Sequence, residues 1–355
     1  MNRFDPQPRG PHPAGTRSTP TRPAATRARL RAAVLTLAAL TAMAVAAGCA
    51  APAQSPSTPA PVAGGSAAAQ APAASGSPAA SAGTAASTSA PCNVYASSLQ
   101  PLPGSLQVTP GSFMATIKKR GYLIAGVDAN TYRFEYFNPR NGNFEGFDID
   151  MIRAVAQAIF GDPNKVQYKA LTNDERIPDV NDGTVDIVAH TYTITCTRLK
   201  QVRFSTVYLD PHRRVLVLDS SHANGLNDLG GQKVCATTGS DAIGSIEGAP
   251  SHPKLVTLPH ITDCLVELQQ GQVAAICSDD SILASLLAQD PYTKIVGPPL
   301  ADEPYGLAIA NKNSDFVRFV NAVLQNVRTS GVWKADYINW IGGPVPQWPT
   351  VGYAS

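Results

Sequence analysis

Residues Ile177-Pro-Asp-Val-Asn-Asp-Gly-Thr-Val-Asp-Ile-Val-Ala-His190 run from a helix-like segment through Gly183 into a short apolar run. The same order returns in Cys264-Leu-Val-Glu-Leu-Gln-Gln-Gly-Gln-Val-Ala-Ala-Ile-Cys-Ser278, with Gly271 at the turn. Each stretch reads as helix, glycine stop and buried strand. Polar residues follow each strand: Thr191 and Thr193 in the first case, Ser278 and Asp279 in the second. A helix feeding a buried strand is the repeating unit of a parallel sheet. Open sheets of that kind take ligands beyond the carboxyl ends of their strands. Two such ends in two halves of the chain predict two lobes with a ligand cleft between them.

The surrounding sequence agrees. Residues 122–127 predict a strand ending at Asp128, and 185–189, 215–218, Lys233–Thr237 and 273–277 predict others. Over 148–160 the apolar positions 151, 152, 155 and 159 trace a helix face. Over 315–328, Phe316, Phe319, Val320, Val323, Leu324 and Val327 form a 3.6-residue stripe. Helices alternating with strands place the folded part in the α/β class.

The chain of 355 residues carries 28 Lys+Arg against 26 Asp+Glu, a net charge of +2. Seven of the Arg and one Asp fall within residues 1–48, and 49–91 hold no charge. What remains is 21 basic against 25 acidic residues, a net of −4. Such a body lacks the basic face that a phosphate backbone needs, so no nucleic-acid partner is expected.

Arg27-Ala-Arg-Leu-Arg31 precedes an almost wholly apolar run, 32–47, that ends at Gly48-Cys49. A basic start, a short apolar stretch and small residues before the cut predict a secretory signal over 1–48. The run is shorter than the roughly twenty residues of a spanning helix. Ala46-Ala47-Gly48-Cys49 resembles a bacterial lipobox, which implies a diacylglycerol on the Cys49 thiol and a membrane anchor. Beyond it, Ala, Pro, Ser, Thr, Gly and Gln offer little to bury. Residues 49–111 therefore read as the anchor cysteine followed by a mostly disordered spacer.

With Cys49 assigned to lipid, five cysteines remain in a compartment that permits disulfides. Cys277 ends a buried apolar strand and needs no partner. Cys235 on a strand and Cys264 at a helix start can fall within one lobe, and Cys92 can staple the leader to Cys196. Metal binding competes with these pairings, but no Cys-x-x-Cys or clustered His supports it.

Gly146-Phe-Asp-Ile-Asp-Met-Ile-Arg-Ala-Val-Ala-Gln-Ala-Ile159 closely resembles the signature of the bacterial extracellular solute-binding proteins of family 3, the amino-acid receptors of ABC importers. Thr193-Ile-Thr-Cys-Thr-Arg198, Lys200-Gln-Val-Arg-Phe-Ser205, Gly239-Ser-Asp241, Ser278-Asp-Asp280 and Gly331-Val-Trp333 resemble later blocks of the same family in order. Within it the chain looks most similar to actinobacterial glutamine/glutamate-type lipoproteins. Cys196 and Ala274 depart from the common pattern without removing an expected ligand contact. The resemblance implies a type II periplasmic-binding-protein-like fold, α/β and two-lobed, with the ligand in the cleft. Lobe 1 would take 112–214 and 306–345, lobe 2 would take 215–305, and the hinge would lie near Val215 and Gly306.

The resemblance also implies that Arg198 grips a ligand α-carboxylate, for which a guanidinium is a planar bidentate fork. Thr191 and Thr193, two apart on an extended segment, would donate from one side. Ser240 and Asp241 open a helix, where backbone N–H groups suit an anion. Asp279 would accept the ammonium, Asp128 would be a second acceptor, and Tyr132 would pack beside the ligand's stem. Arg176 stands directly before Ile177-Pro178 and twenty-two residues ahead of Arg198. In glutamate/aspartate-binding members an Arg so placed reads the side-chain carboxylate. His190, His212, His222, His252 and His260 are scattered and read as solvated or capping.

The expected function is capture of glutamate, aspartate, glutamine or asparagine for an ABC permease, by a monomer held at the extracellular face through lipid. No cofactor or metal is called for, and no catalysis. Two other classes remain open: a sensor lipoprotein that reports to a membrane signalling protein, and a dehydratase-type enzyme of the same fold.

Overall fold

A computed structural model describes residues 92–104 and 106–354. The expected signal, Cys49 and the spacer up to residue 91 lie outside the described residues. Two five-stranded sheets carry the fold. The first runs Val166–Ala170, Leu123–Val127, Ile187–Val188, Ala308–Ile309, Arg203–Phe204. Its first three strands are parallel, and Ala308–Ile309 is antiparallel to both neighbours. The second runs Lys254–Leu258, Lys233–Thr237, Ala275–Asp279, Arg213–Leu218, Thr293–Val296. There too three parallel strands precede one that is antiparallel to both its neighbours. The sheets share one plan, and the two echoing stretches of sequence supply the central strand of each.

Burial explains why each segment takes its form. Helices Phe147–Phe160 and Ser314–Thr329 pack against the first sheet through Phe147, Met151, Ile152, Phe316 and Phe319, all fully buried. The second sheet is covered on both faces. Val215, Val234 and Cys277 enter one apolar cluster, while Leu216, Cys235 and Ile276 enter another. Alternate residues of each strand thus serve opposite cores, so the strands read as continuous apolar runs.

A small antiparallel ribbon, Asn130–Thr131, Glu135–Asn138 and Asn143–Glu145, had no signal in the sequence. It ends at Gly146, whose φ is +135°. A Cβ there would lie 2.1 Å from the Phe134 carbonyl oxygen, so only glycine lets the ribbon meet the helix Phe147–Phe160.

Two segments cross between the sheets, one from Phe204 to Arg213 and one from Val296 to Ala308. They run side by side: Tyr208 N–H donates to Tyr305 O at 3.0 Å, Tyr305 N–H to Leu209 O at 2.8 Å, and Arg213 N–H to Ala301 O at 2.9 Å. A paired ribbon of this kind can flex as a unit.

Cys92 is bonded to Cys196 and Cys235 to Cys264, while Cys277 is free and buried. Cys264 sits inside the first turn of the helix Ile261–Gln269 rather than opening it. The bridges span 29 and 104 residues of sequence. On the chain-entropy model these are worth about 3.6 and 4.7 kcal/mol.

The expected spacer stops well short of residue 111. Beyond the disulfide at Cys92, Val94–Ala96 forms a helical turn, and Ser98 is buried. The Ser98 hydroxyl donates to Phe204 O at 2.7 Å and accepts from Asn321 Nδ2 at 2.7 Å. The chain's far end joins it, with Gly352 N–H donating to Tyr95 O at 3.0 Å and Ala354 N–H to Ser98 O at 2.8 Å. Leader and tail therefore complete the first lobe.

Candidate ligand-binding cleft

Loops leaving the carboxyl ends of the parallel strands of both sheets meet around one cavity. Asp128, Asn173, His190 and Thr191 come from the first sheet; Thr237, Ser240, His260 and Asp279 come from the second. Its volume is about 50 Å³ for the centre of a water-sized sphere. A space of this size suits a small polar solute rather than a polymer.

Direct contacts close the two sides on each other. Asn173 Nδ2 donates to Thr238 O at 2.8 Å, and Asn130 Nδ2 lies 3.1 Å from His260 Nδ1. Gly239 makes this approach possible. Its φ is +69°, and a Cβ would stand 2.2 Å from Asp174 Oδ1 across the cleft.

Arg176 and Arg198 both line the cavity and rest on one aromatic ring. Arg176 lies 3.9 Å and Arg198 4.7 Å from the Tyr192 centroid. Tyr192 is fully buried, and a ring face attracts each cation. Arg176 Nε donates to Asn173 O at 2.9 Å and its Nη2 to Gly239 O at 3.3 Å, so it clasps both sides. Burial and then the neighbouring Arg198 push its pKa down to about 10. Arg198 Nη1 donates to Thr193 O at 2.7 Å, and its Nη2 stands 3.7 Å from Asp241 Oδ1. Buried Arg176 and mostly buried Arg198, side by side, favour an anionic group beside them.

Carboxylates face them from the second sheet. Asp241 Oδ2 is 3.0 Å from Arg213 Nη2, and Arg213 also pairs with buried Glu303. Burial opposes ionisation of Asp241, but Arg198 and Arg213 outweigh it and hold the carboxyl below its usual range. Asp279 accepts from Tyr305 Oη at 2.6 Å. Burial, then repulsion from Asp241, raises its pKa to about 7. Glu303 is pushed to about 9, by burial first and then by Asp279 and Asp241.

Several expected details differ. Thr191 and Thr193 do not share an extended segment, because Thr191 has φ +42°. Thr191 N–H donates to Asp148 Oδ2, which bends the backbone away from the strand path. Ser240 N–H donates to Thr237 O at 3.1 Å, so it is spent on a turn rather than free for an anion. The helix that follows, Ala242–Glu247, is a short one of six residues. Its approach contributes side chains instead: the Ser240 hydroxyl is buried without a partner, and the Asp241 carboxylate joins the arginines. Asp128 lines the cavity but braces its own loop, accepting from Ala129 N, Asn130 Nδ2 and Thr131 Oγ1. Tyr132 lies outside the lining; it is 37% exposed and packs edge-on against Tyr136. The adjacent Arg133 at φ +72° belongs to the same turn.

His190 also departs from expectation. It is buried in the cavity wall, with Nε2 3.0 Å from Leu171 O, and burial followed by Arg176 lowers its pKa. His260 does cap a helix, as read from sequence, and lines the cavity as well. Tyr192, Asn173, Arg213 and Glu303 carried no sequence signal strong enough to single them out. Among the described residues no group of three or more His, Cys, Asp or Glu could hold a metal ion.

Two lobes of one topology, closed over a small charged cavity at their strand ends, define a two-lobed solute-binding protein. The chain belongs to the bacterial extracellular solute-binding proteins, family 3, whose model matches residues 123–343. The ABC transporter glutamine-binding protein of Bacillus subtilis (strain 168) is 33% identical over 229 residues, covering 64% of this chain and 84% of that one. The L-glutamate/L-aspartate-binding protein of Pseudomonas aeruginosa is 26% identical over 241 residues, 65% of this chain and 80% of its own. Among solved structures, an ancestral amino acid-binding protein described as a precursor of cyclohexadienyl dehydratase aligns with a TM-score of 0.60 at 28% identity. That alignment covers 65% of this chain and all of the ancestral one, 100%. No described helix is long and apolar enough to cross a membrane.

Proposed function

We propose that the protein captures a free amino acid with an acidic or amide side chain and delivers it to an ABC permease. The observation that carries this reading is the pair of guanidinium groups, buried Arg176 and mostly buried Arg198, that line one small cavity with the buried carboxylate of Asp279. Arg198 takes the α-carboxylate, Asp279 takes the ammonium, and Arg176 reads the side chain. Thr191, Thr193 and Ser240 supply neutral polar contacts, and Asp128 with Asp241 sets the charge of the wall. In this scheme binding and lobe closure are the whole cycle. The relatives named for glutamine and for glutamate/aspartate support the substrate class.

Isothermal titration against the twenty amino acids tests the proposal, with glutamate, aspartate, glutamine and asparagine expected to bind. Micromolar or tighter binding of only aromatic or branched apolar ligands would overturn it. The same titration reads the role of Asp279. Its carboxyl titrates near 7 and must be ionised to hold an ammonium, so affinity should rise between pH 6 and pH 8. Asp279→Asn should flatten that rise.

The anchor is part of the proposal. A diacylglycerol on Cys49 would hold the receptor at the outer face of the membrane beside its permease, within reach of incoming solute. Labelled palmitate should enter the wild-type protein and not Cys49→Ser; label persisting in the variant would refute lipidation at that residue.

A further inference from the structure

Thr191 lines the cavity with a backbone that β-branched residues rarely adopt, φ +42°. Two carboxyl groups hold it from behind. Asp148 Oδ2 accepts from Thr191 N–H at 2.8 Å, and Glu135 Oε1 accepts from the Thr191 hydroxyl at 3.3 Å. Tyr208 Oη donates to the other Asp148 oxygen at 2.8 Å. Both carboxyls are completely buried. No Lys, Arg or His among the described residues pairs with either one. Glu135 Oε2 has no other partner.

Two carboxylates cannot both stay ionised in such a place. One proton between them removes the repulsion and satisfies the orphaned oxygen. We propose that Glu135 and Asp148 form a proton-sharing pair that positions Thr191, and through it the binding platform, an inference that rests on the amino-acid-binding reading above. The platform is the next two residues: both guanidinium groups rest on Tyr192, and Arg198 bonds to Thr193 O. Burial supports the shared proton by raising Glu135 well above its ordinary range and Asp148 to about 6. Glu135 arrives on the ribbon and Asp148 in the first helical turn, joined by the close approach at Gly146. Glu135 and Asp148 thereby act on the site without themselves lining the cavity.

The test is a rescue. Asp148→Ala removes the acceptor for the Thr191 amide, and titration with the best wild-type ligand should show affinity about tenfold or more weaker, the scale of a backbone no longer held in a strained state. Adding Thr191→Gly should bring affinity to within about threefold of the Thr191→Gly single variant, which lacks the same side chain, because glycine adopts positive φ freely. A loss that glycine does not relieve, or no loss at all, overturns the proposal. Hydrogen exchange gives a readout that needs no ligand: the Thr191 amide should exchange at least about tenfold faster in Asp148→Ala. If the wild type binds no amino acid, the functional reading fails while this measurement still decides the positioning role.

Glu135→Gln serves should Asp148→Ala not fold. Glutamine keeps a donor and an acceptor, so affinity at neutral pH should stay within about threefold of wild type. At alkaline pH, beyond the range in which Asp279 ionises, the wild type should weaken as the shared proton is stripped, and the glutamine variant should weaken less. Asp128 and Tyr208 are the other titratable groups facing the pair, and both are unchanged in the comparison. Equal alkaline losses, or binding lost at neutral pH in Glu135→Gln, would refute the shared proton.

Discussion

Arg198→Ala is expected to remove binding of every amino acid alike, because all ligands share the α-carboxylate assigned to this guanidinium. Arg198 is mostly buried, stacks on Tyr192 and is fixed by Thr193 O, so its fork is aimed before a ligand arrives. Truncating one member of a buried, hydrogen-bonded charge pair costs about 2–5 kcal/mol. That corresponds to roughly thirtyfold to several thousandfold in affinity. Titration with glutamate, glutamine and asparagine checks the result. If only some ligands are lost, Arg198 reads a side chain and the ligand lies reversed in the cleft.

Arg176→Gln should separate acidic ligands from amides. Glutamate and aspartate would lose a counter-charge in a site closed to water, a loss of about 2 kcal/mol or more. Glutamine and asparagine would lose only what the clasp contributes, the two bonds to Asn173 O and Gly239 O. That contribution is common to all ligands, since it joins the two sides of the cleft whatever lies between. The difference between glutamate and glutamine in the variant, measured against the same difference in the wild type, isolates the charge reading. Equal losses would reduce Arg176 to a clasp.

The sequence announced the elements whose patterns are long or repeated. The helices around 148–160 and 315–328 showed their faces because 3.6-residue periods build up over several turns. The strand Lys233–Thr237 is found where its apolar run and flanking glycines put it. The two central strands were visible through their echo. Other features leave no such trace. The strands of the ribbon over 130–145 are two to four residues long, too short to show a period. Arg213 and Glu303 lie far apart in the chain and meet only because two crossing segments pair. The left-handed turn at Thr191 contradicts local preference and is imposed by carboxyls from elsewhere. Tyr192 reads as one more apolar residue between threonines until two arginines are seen resting on it.

The strap formed by the leader has a mechanical consequence. The described chain enters through Cys92, bonded to Cys196, and its next residues are tied to the edge strand Arg203–Phe204 and to Asn321, all in the first lobe. A load arriving along the chain ahead of Cys92 therefore runs first through a covalent bond into that lobe, while Tyr95 Oη, donating to Asp210 Oδ1 at 3.1 Å, braces a crossing segment as well. The second lobe is joined to the first covalently through the two crossing segments and otherwise by the contacts across the cleft, such as Asn173 to Thr238 and Arg176 to Gly239. Tension on the leader therefore falls first on the lobe that carries the Cys92–Cys196 disulfide, and not on the contacts that hold the cleft closed.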